Sequence, residues 1–388
     1  MLHPGDLGEV LCRTGRIAKE VIAGEAADVD REARWPQAGI RAMQAAGLGG
    51  LVVPESAGGL GHGLLALAQV CELIGRECAS TALCFGMHCV GAAVIAAKAT
   101  TDQHRRYLEP ICRGAHLTTL ALSEPGTGAH FYLPQTRLCA ASPEQLQISG
   151  TKTFVTNGGH ADSYVISVVA AEASGLPGQF SCVAVPGEAL GLVWGGRWEG
   201  MGMRGNSSRT VELRQVVVSR SDLLGQEGDQ IWYVFEVVAP YFLMAMAGTY
   251  LGVAAAALEE SRTHLAQRQY AHSGSTLGQL AVLQHRLGCL WAVLERTRRL
   301  VYFAGAQGDA GDPEALPALL SAKAEVADCV VGLTNDSMTL LGGIGYRSGS
   351  KLNRCLRDAR AAHVMSPTTD LLRTWAGRAL LGLSLLGD

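Results

Sequence analysis

Apolar residues recur with different spacings in three successive stretches of the chain. Between residues 36 and 114 they return every three or four positions, as on one face of a helix. From about 117 to 218 they form short β-rich runs separated by glycine, proline and asparagine. Beyond residue 231 long helical patterns return, with breaks at 307–313 and 341–346. This predicts an α+β multi-domain fold with a helical domain over 1–116, an antiparallel β-barrel domain over 117–228 and a four-helix bundle over 229–388.

Length and composition favour a cytoplasmic protein of several domains. A chain of 388 residues exceeds the usual size of a single core. Its 32 basic and 35 acidic residues give no signature of nucleic-acid binding. The 11 cysteines are scattered without CxxC pairs or metal-ligand spacing, so we expect reduced thiols and no metal site. Residues 1–6 lack the basic and apolar regions of a secretory signal.

One uncharged segment, from Val237 to Leu258, has about the length needed to cross a bilayer. It is rich in alanine, glycine, valine and methionine, contains Pro240, and runs directly into Glu259 and Glu260. Small residues suit a helix packed on all sides, either within the bundle or at a subunit interface. We therefore expect no association with a membrane.

Three motifs occur in a recognisable order along the chain. They are Leu-Ser-Glu-Pro-Gly-Thr-Gly at 122–128, Ile-Ser-Gly-Thr-Lys-Thr-Phe-Val-Thr-Asn-Gly-Gly at 148–159, and Arg-Asp-Ala-Arg-Ala-Ala-His-Val-Met-Ser-Pro-Thr at 357–368. Together they resemble the acyl-CoA dehydrogenase family of flavoproteins, and the similarity covers nearly the whole chain. The resemblance implies that FAD lies between the β domain and the bundle, with an acyl thioester on the opposite face of the flavin ring.

The first two motifs contain the residues that the resemblance places around the flavin ring. Leu122 and Ser123 are expected to pair with the polar pyrimidine edge, for which backbone groups and a hydroxyl are suitable partners. Thr156 is expected near flavin N5, and Phe154 takes the place of a shielding aromatic that is tryptophan in many relatives. The alternative is that Ser123 and Thr156 satisfy turns and Phe154 is core packing. The further flavin contacts that the resemblance implies are Thr127 and Thr368.

A second group resembles the places where relatives hold the adenosine and pyrophosphate of FAD. It comprises Arg268 after a long helix, and Gly342 and Gly343 in a glycine-rich turn. Arginine can bind a pyrophosphate through two hydrogen bonds, and glycines let backbone N–H groups approach it. The alternative for such a turn is that it ends a helix. In the family this site lies partly across a subunit boundary, so the resemblance implies at least a homodimer and favours a homotetramer.

The third motif departs from the family at the catalytic base. Relatives remove the α-proton of the thioester with a carboxylate while the β-hydrogen leaves as hydride to the flavin. The usual glutamate falls on Ser366, and the alternative family position corresponds to about 241–243, where there is no acid either. A serine has no basicity near neutral pH without a partner. The chemistry therefore requires a displaced base or a different reaction.

Candidates for a displaced base are His130, His363 and Asp370. Asp370 has a structural alternative, because Ser366 could cap a helix with Pro367 at its first position and Asp370 in its first turn. His363 could be a core histidine, although it is the group in its loop that titrates near neutral pH.

The thioester contacts of the family are also altered. Ala129 and His130 replace the usual serine and aspartate after the first motif. We predict that these two residues and Tyr241 line the substrate site.

Three functional classes remain open. The first is a dehydrogenase of an unusual acyl thioester, carried by CoA or a carrier protein, that passes electrons to an electron-transfer flavoprotein or to oxygen. The second is a flavin-dependent monooxygenase on the same fold, and the third is a non-catalytic flavin-binding homologue. Family motifs favour the first class.

Overall fold

The computed structural model describes residues 6–170 and 179–386 of the chain. A helical N-terminal part is followed by a β-sheet part and then by a second helical part. This arrangement confirms the predicted fold class.

The N-terminal part contains seven helices among the described residues. They are α1 (Leu7–Ile17), α2 (Ala23–Glu32), α3 (Gln37–Ala45), α4 (Leu64–Gly75), α5 (Ala79–Ala97), α6 (Thr101–Gln103) and α7 (Glu109–Cys112). Helix α1 begins where the Asp6 carboxylate accepts the backbone N–H groups of Gly8 and Glu9. Wider π-helical turns join α1 to α2 and α6 to α7. Helix α5 packs against both β1 and α9, so it lies between the other two parts.

Among the described residues, the middle part forms one sheet of eight strands. They are β1 (Thr118–Ala121), β2 (Arg137–Ala140), β3 (Gln145–Val155), β4 (Ser163–Ala170), β5 (Phe180–Pro186), β6 (Leu192–Trp194), β7 (Arg209–Ser219) and β8 (Leu223–Leu224). The order is β6-β7-β3-β2-β4-β5-β8, with β1 also paired to β4. Most pairings are antiparallel, as predicted.

Strand β4 departs from the predicted purely antiparallel pattern. Strand β1 pairs with it in parallel at Ser163–Ile166, and β2 pairs with it in parallel at Val169–Ala170. Both strands share one edge of β4, so the chain leaves this edge after Ala121 and returns at Arg137 running in the same direction. The excursion between them, residues 122–136, contains the first motif.

Within the described residues, the C-terminal part is the predicted helical bundle with three shorter helices. Its helices are α8 (Gln230–Trp232), α9 (Ala239–Gln267), α10 (Ala281–Asp309), α11 (Ala315–Leu341), α12 (Lys351–Ala359), α13 (Ala361–Val364) and α14 (Thr369–Leu380). Helices α9, α10 and α14 pack around α11. A π-helical turn at Tyr233–Val238 precedes Pro240, whose missing N–H interrupts the regular hydrogen-bond ladder.

Two helical runs are long and apolar enough to cross a membrane, namely Ala79–Ala97 and Gln230–Gln267. In their most apolar windows 94% and 78% of the residues are buried within the protein. Such burial is typical of core helices, and it favours the buried interpretation of the segment around Val237 to Leu258.

Candidate active site

The first motif is held by a buried ion pair. Lys152 on β3 is fully buried, and its Nζ donates to the Glu124 carboxylate at 2.5 Å and to the Leu122 carbonyl at 3.2 Å. Burial lowers the pKa of Lys152 to about 8, although Glu124 opposes this shift. Burial alone would raise the pKa of Glu124, but Lys152 and the hydrogen bonds to Glu124 outweigh it and lower that pKa. The pair is therefore charged near neutral pH and fixes the backbone around Ser123.

The second motif lies beside the first. The Thr153 N–H donates to the Ser123 carbonyl at 2.8 Å. Thr156 is buried, and its hydroxyl lies 3.3 Å from that of Ser208. Phe154 is 66% exposed, with the edge of its ring against Trp198. The structure therefore brings Ser123, Thr156 and an accessible aromatic face to one edge of the sheet.

Asn157 ties this edge to the N-terminal helices. Its side-chain oxygen accepts from the Trp35 indole at 2.9 Å, and its amide nitrogen donates to the Cys84 carbonyl at 3.0 Å. The Trp35 ring also stacks on His160. Asn157 is fully buried and has a left-handed backbone with φ of 60°. These contacts hold the turn that follows Thr156.

Thr127 and Thr368, the other predicted flavin contacts, lie in different elements. The Thr127 hydroxyl donates to the Glu124 carbonyl at 3.2 Å, which closes the first motif on itself. Thr368 is the N-cap residue of α14, and its side chain makes no capping hydrogen bond. Ser366 was predicted to be a possible cap of this helix. That prediction is wrong because α14 begins at Thr369, although Asp370 does lie in its first turn.

A lysine on α11 holds the loop between α13 and α14 by hydrogen bonds. Lys323 on α11 is fully buried, and its Nζ donates to the carbonyls of Ala362, Met365 and Pro367 at 2.9, 3.0 and 2.9 Å. The Tyr250 hydroxyl on α9 donates to the Met365 sulfur at 3.4 Å. Ser366 lies between two of these anchored residues.

The Ser366 hydroxyl is buried and has no hydrogen-bond partner within the described ranges. Neither His363 nor Asp370 therefore forms a hydrogen bond with it.

The two candidate bases of the third motif lie in different surroundings. His363 Nδ1 is 3.2 Å from the Thr369 hydroxyl, and Nε2 is 3.6 Å from Asp328 on α11. Burial lowers the pKa of His363, although Asp328 opposes this, so the ring is neutral at pH 7. Asp370 is exposed in the first turn of α14.

The predicted substrate residues lie on two elements. Ala129 is half-buried and His130 is exposed, with the His130 ring 5.9 Å from that of Tyr132. Tyr132 packs against Phe235 and Trp375, which joins this loop to the helical bundle.

Tyr241 lies on α9 and is half-buried. Burial and, to a smaller extent, Asp309 raise the pKa of Tyr241, so its phenol is neutral at physiological pH. Asp309 itself accepts the backbone N–H groups of Leu64 and Leu65 at the start of α4. Tyr241 is thus placed near the junction of the two helical parts.

The predicted adenosine residues lie far from the first two motifs along the chain, at one end of the bundle. Arg268 follows α9 and is exposed, and its guanidinium donates to the neighbouring Gln269 carbonyl. Gly342 ends α11 with φ of 57° and ψ of −140°, a conformation that requires glycine. No heavy atom lies within 4 Å of the Cβ position of either Gly342 or Gly343, so both backbones are open to a ligand. A groove of about 360 Å³ beside them is lined by His285, Arg286, Cys289, Leu290, Asp336, Thr339 and Leu340.

Helix α12 joins the bundle to the sheet. The buried Asp358 carboxylate accepts the Met203 N–H at 2.5 Å, and Arg357 pairs with Asp30 and donates to the Met201 carbonyl. Burial raises the pKa of Asp358 to about 6. The first two residues of the third motif, Arg357 and Asp358, thus connect all three parts of the molecule.

Sequence reasoning missed several residues that shape this site. Lys152 and Lys323 are interior cations, Trp35 and Asn157 join two domains, and Ser208 faces Thr156. Only Lys152 and Asn157 lie within the three motifs, so these two could have been singled out. The others depend on contacts between distant segments.

A helix, sheet and helix architecture with hydroxyls and an open aromatic face at the sheet edge defines a flavin-dependent oxidoreductase. Domain models of the acyl-CoA dehydrogenase N-terminal, middle and C-terminal domains match residues 10–115, 119–216 and 241–381. The chain belongs to the acyl-CoA dehydrogenase family. This confirms the predicted family, the predicted flavin cofactor and the class of oxidoreductases acting on CH–CH groups.

Relatives match over nearly their full length. Cyclohex-1-ene-1-carbonyl-CoA dehydrogenase of Geobacter metallireducens is 29% identical over 366 residues, which are 94% of this chain and 95% of the relative. Butyryl-CoA dehydrogenase of Megasphaera elsdenii superposes with a TM-score of 0.89 at 22% identity, covering 97% and 98% of the two chains. The prolyl acyl carrier protein oxidase AnaB gives 0.84 at 22% identity over 96% and 98%.

Proposed function

We propose that this chain oxidises an unusual acyl thioester, carried by CoA or a carrier protein, at the α,β carbons and with a displaced base. The observation that carries the proposal is Ser366. Its hydroxyl is buried without a partner, in a loop that Lys323 anchors on both sides. Lys323 thus holds the backbone at the position where the usual glutamate of the family is replaced by serine.

The residues at the sheet edge fit a flavin. Leu122 and Ser123 have backbones fixed by Lys152 and Thr153, so they would hold the polar edge of the ring. The Thr156 hydroxyl and the exposed Phe154 ring would contact its centre and face. Bound FAD would supply the hydride acceptor. Thr127 and Thr368 would complete the contacts to the flavin part of FAD.

His363 is the group that we assign as the displaced base. It is neutral at pH 7, and it lies on α13, three residues before Ser366. To accept a proton from substrate its ring must leave either Thr369 or Asp328, since both ring nitrogens have neighbours. Asp370 is the alternative, and Ala129, His130 and Tyr241 are assigned to the acyl thioester.

The subunit arrangement that we propose is a homotetramer or homodimer. Of residues 281–292 at the start of α10, only Leu290 is buried, although this stretch contains Val282, Leu283, Leu287 and Trp291. A helix end that buries so little apolar surface is stabilised when a second subunit covers it. Arg268, Gly342 and Gly343 lie at this end of the bundle and would then hold FAD across the boundary. The electron acceptor is an electron-transfer flavoprotein or oxygen.

The test compares two half-reactions of the FAD-loaded protein. Mixing with a panel of acyl-CoA and acyl-carrier thioesters without oxygen should bleach the flavin absorbance with at least one of them. Oxygen consumption after chemical reduction is measured in parallel. The protein is a monooxygenase if no thioester bleaches the flavin but the reduced flavin hydroxylates an added substrate with oxygen. It is non-catalytic if it is inert in both assays.

A further inference from the structure

Lys323 has an unusual set of partners for a buried cation. It lies in the middle of α11 and is fully buried, yet no carboxylate in the described part of the chain pairs with it. Its three hydrogen bonds go to backbone carbonyls, those of Ala362, Met365 and Pro367. An ammonium has three N–H donors, so all of them are used on one loop.

Burial of this charge is unfavourable in itself. Removal from water lowers the pKa of Lys323 to about 7, and no nearby anion compensates. A methionine would fill a similar space without the desolvation cost. A methionine, however, has no N–H groups to donate to the three carbonyls. These carbonyls need donors because the regular helical hydrogen bonds are interrupted between α13 and α14. The hydrogen bonds to this loop therefore explain why a lysine is buried at position 323.

The anchored atoms surround one residue. Met365 and Pro367 are the two neighbours of Ser366, and both of their carbonyls lie within 3.0 Å of the same nitrogen. This fixes the backbone on each side of residue 366 and thereby the direction of its Cα–Cβ bond. Tyr250 adds a contact to the Met365 side chain from α9.

We infer that Lys323 is a positioning residue, which sets the geometry of the loop at 362–367 for the reaction of the bound thioester. The assignment to a reaction rests on the proposed function, whereas the hold on the loop does not. Lys323 touches neither Ser366 Oγ nor any predicted ligand-binding side chain through a hydrogen bond, so it acts through the backbone.

The first test measures the loop directly. In Lys323→Met, amide hydrogen exchange in a peptide covering 361–370 should become at least tenfold faster, with peptides of the β domain within twofold of wild type. Lys323→Gln retains amide donors and should restore part of the protection. Leu333→Ala, a buried truncation on the same helix, serves as the control for general loss of stability. Equal exchange of this loop in wild type and Lys323→Met would overturn the inference.

The second test separates this inference from the proposed function. With a thioester that bleaches the wild-type flavin, Lys323→Met should lower the limiting bleaching rate at least tenfold while FAD content and half-saturating thioester concentration stay within threefold. Lys323→Gln should recover part of that rate, and Leu333→Ala should leave it unchanged. A wild-type protein that no thioester bleaches refutes the proposed function alone, because the exchange experiment still decides whether Lys323 holds the loop.

Discussion

We propose that the side chain at residue 366 separates this chain from the usual chemistry of its family. Because the backbone on both sides of it is anchored, a glutamate introduced there would start from a fixed Cα position. Ser366→Glu should accelerate flavin bleaching by simple saturated acyl-CoAs by about 10²–10⁴-fold, the usual contribution of a placed base. Anaerobic stopped-flow absorbance measures the rate.

Ser366→Gln is the matched control for this substitution, since it has the same size without basicity. The gain should be absent from Ser366→Gln. If both variants bind FAD and both remain at the wild-type rate, residue 366 does not face the thioester, and the conclusion drawn from its position is wrong.

Substitutions of His363 and Asp370 should differ in their effect on the rate of flavin bleaching. His363→Gln should lower substrate-dependent bleaching at least tenfold while FAD stays bound, because the neutral imidazole is removed. Asp370→Asn should cost at most about 1 kcal/mol of stability, as expected for a charge in a first helical turn, and leave the rate intact. The reverse result, with Asp370→Asn inactive and His363→Gln normal, would identify Asp370 as the base.

Helix α12 supports a prediction at the scale of one element. Burial raises the pKa of Asp358 to about 6 in the folded state, above the value near 3.9 of an unfolded chain, while Arg354, Arg357 and Asp30 act as charged neighbours. A raised folded-state pKa means that the native state binds the proton more tightly. The stability from Asp358 is therefore fully present below about pH 4 and is lost as the pH rises through 6.

Asp358→Asn removes this titration but keeps an oxygen for the Met203 N–H. Relative to wild type, the variant should gain about 2–3 kcal/mol between pH 4 and pH 7, the equivalent of a shift of about two pKa units. Urea denaturation of both proteins at the two pH values measures the difference. A constant difference would show that Asp358 does not titrate in this range.

Periodicity predicted the elements well, because it reports on burial within a local stretch. The helical and β-rich segments and the long buried helix α9 follow from apolar spacing alone. The parallel pairing of β1 and β2 with β4 does not, since a strand's partners are chosen by segments distant in sequence. The burial of Lys323 could not be predicted for the same reason. A lysine in a helical pattern predicts a solvent-facing position, whereas the burial of Lys323 depends on carbonyls about 40 residues later in the chain. The motifs located the sheet edge and the loop of Ser366, and the second motif contains Lys152, but Lys323 lies outside all three motifs.

At the scale of the whole molecule, a buried ionic cluster fastens the N-terminal part to the bundle. Glu72 on α4 is 1% exposed and accepts hydrogen bonds from Arg298 and Tyr302 on α10 and from Arg76. Burial alone would raise the pKa of Glu72, but the arginines lower it. The second half of α10 thus holds α4 toward both of its ends, since Asp309 also accepts the Leu64 N–H in the first turn of α4. These links leave the start of α10 as the part of the bundle free to meet another subunit.

That exposed end of α10 makes the subunit arrangement testable. Trp291 is 57% exposed and lies one residue from Leu290, which lines the groove beside Gly342. Trp291→Glu should lower the mass in solution toward that of a single 40.8 kDa chain. It should also reduce the amount of bound FAD, because Arg268 and the glycine turn would no longer lie at a subunit interface. Leu190→Glu, at a 90% exposed position in the β domain, should change neither quantity. Light scattering coupled to size-exclusion chromatography, with flavin absorbance recorded on the same peak, measures both. A wild-type protein that is monomeric with a full complement of FAD would show that each chain holds its flavin alone.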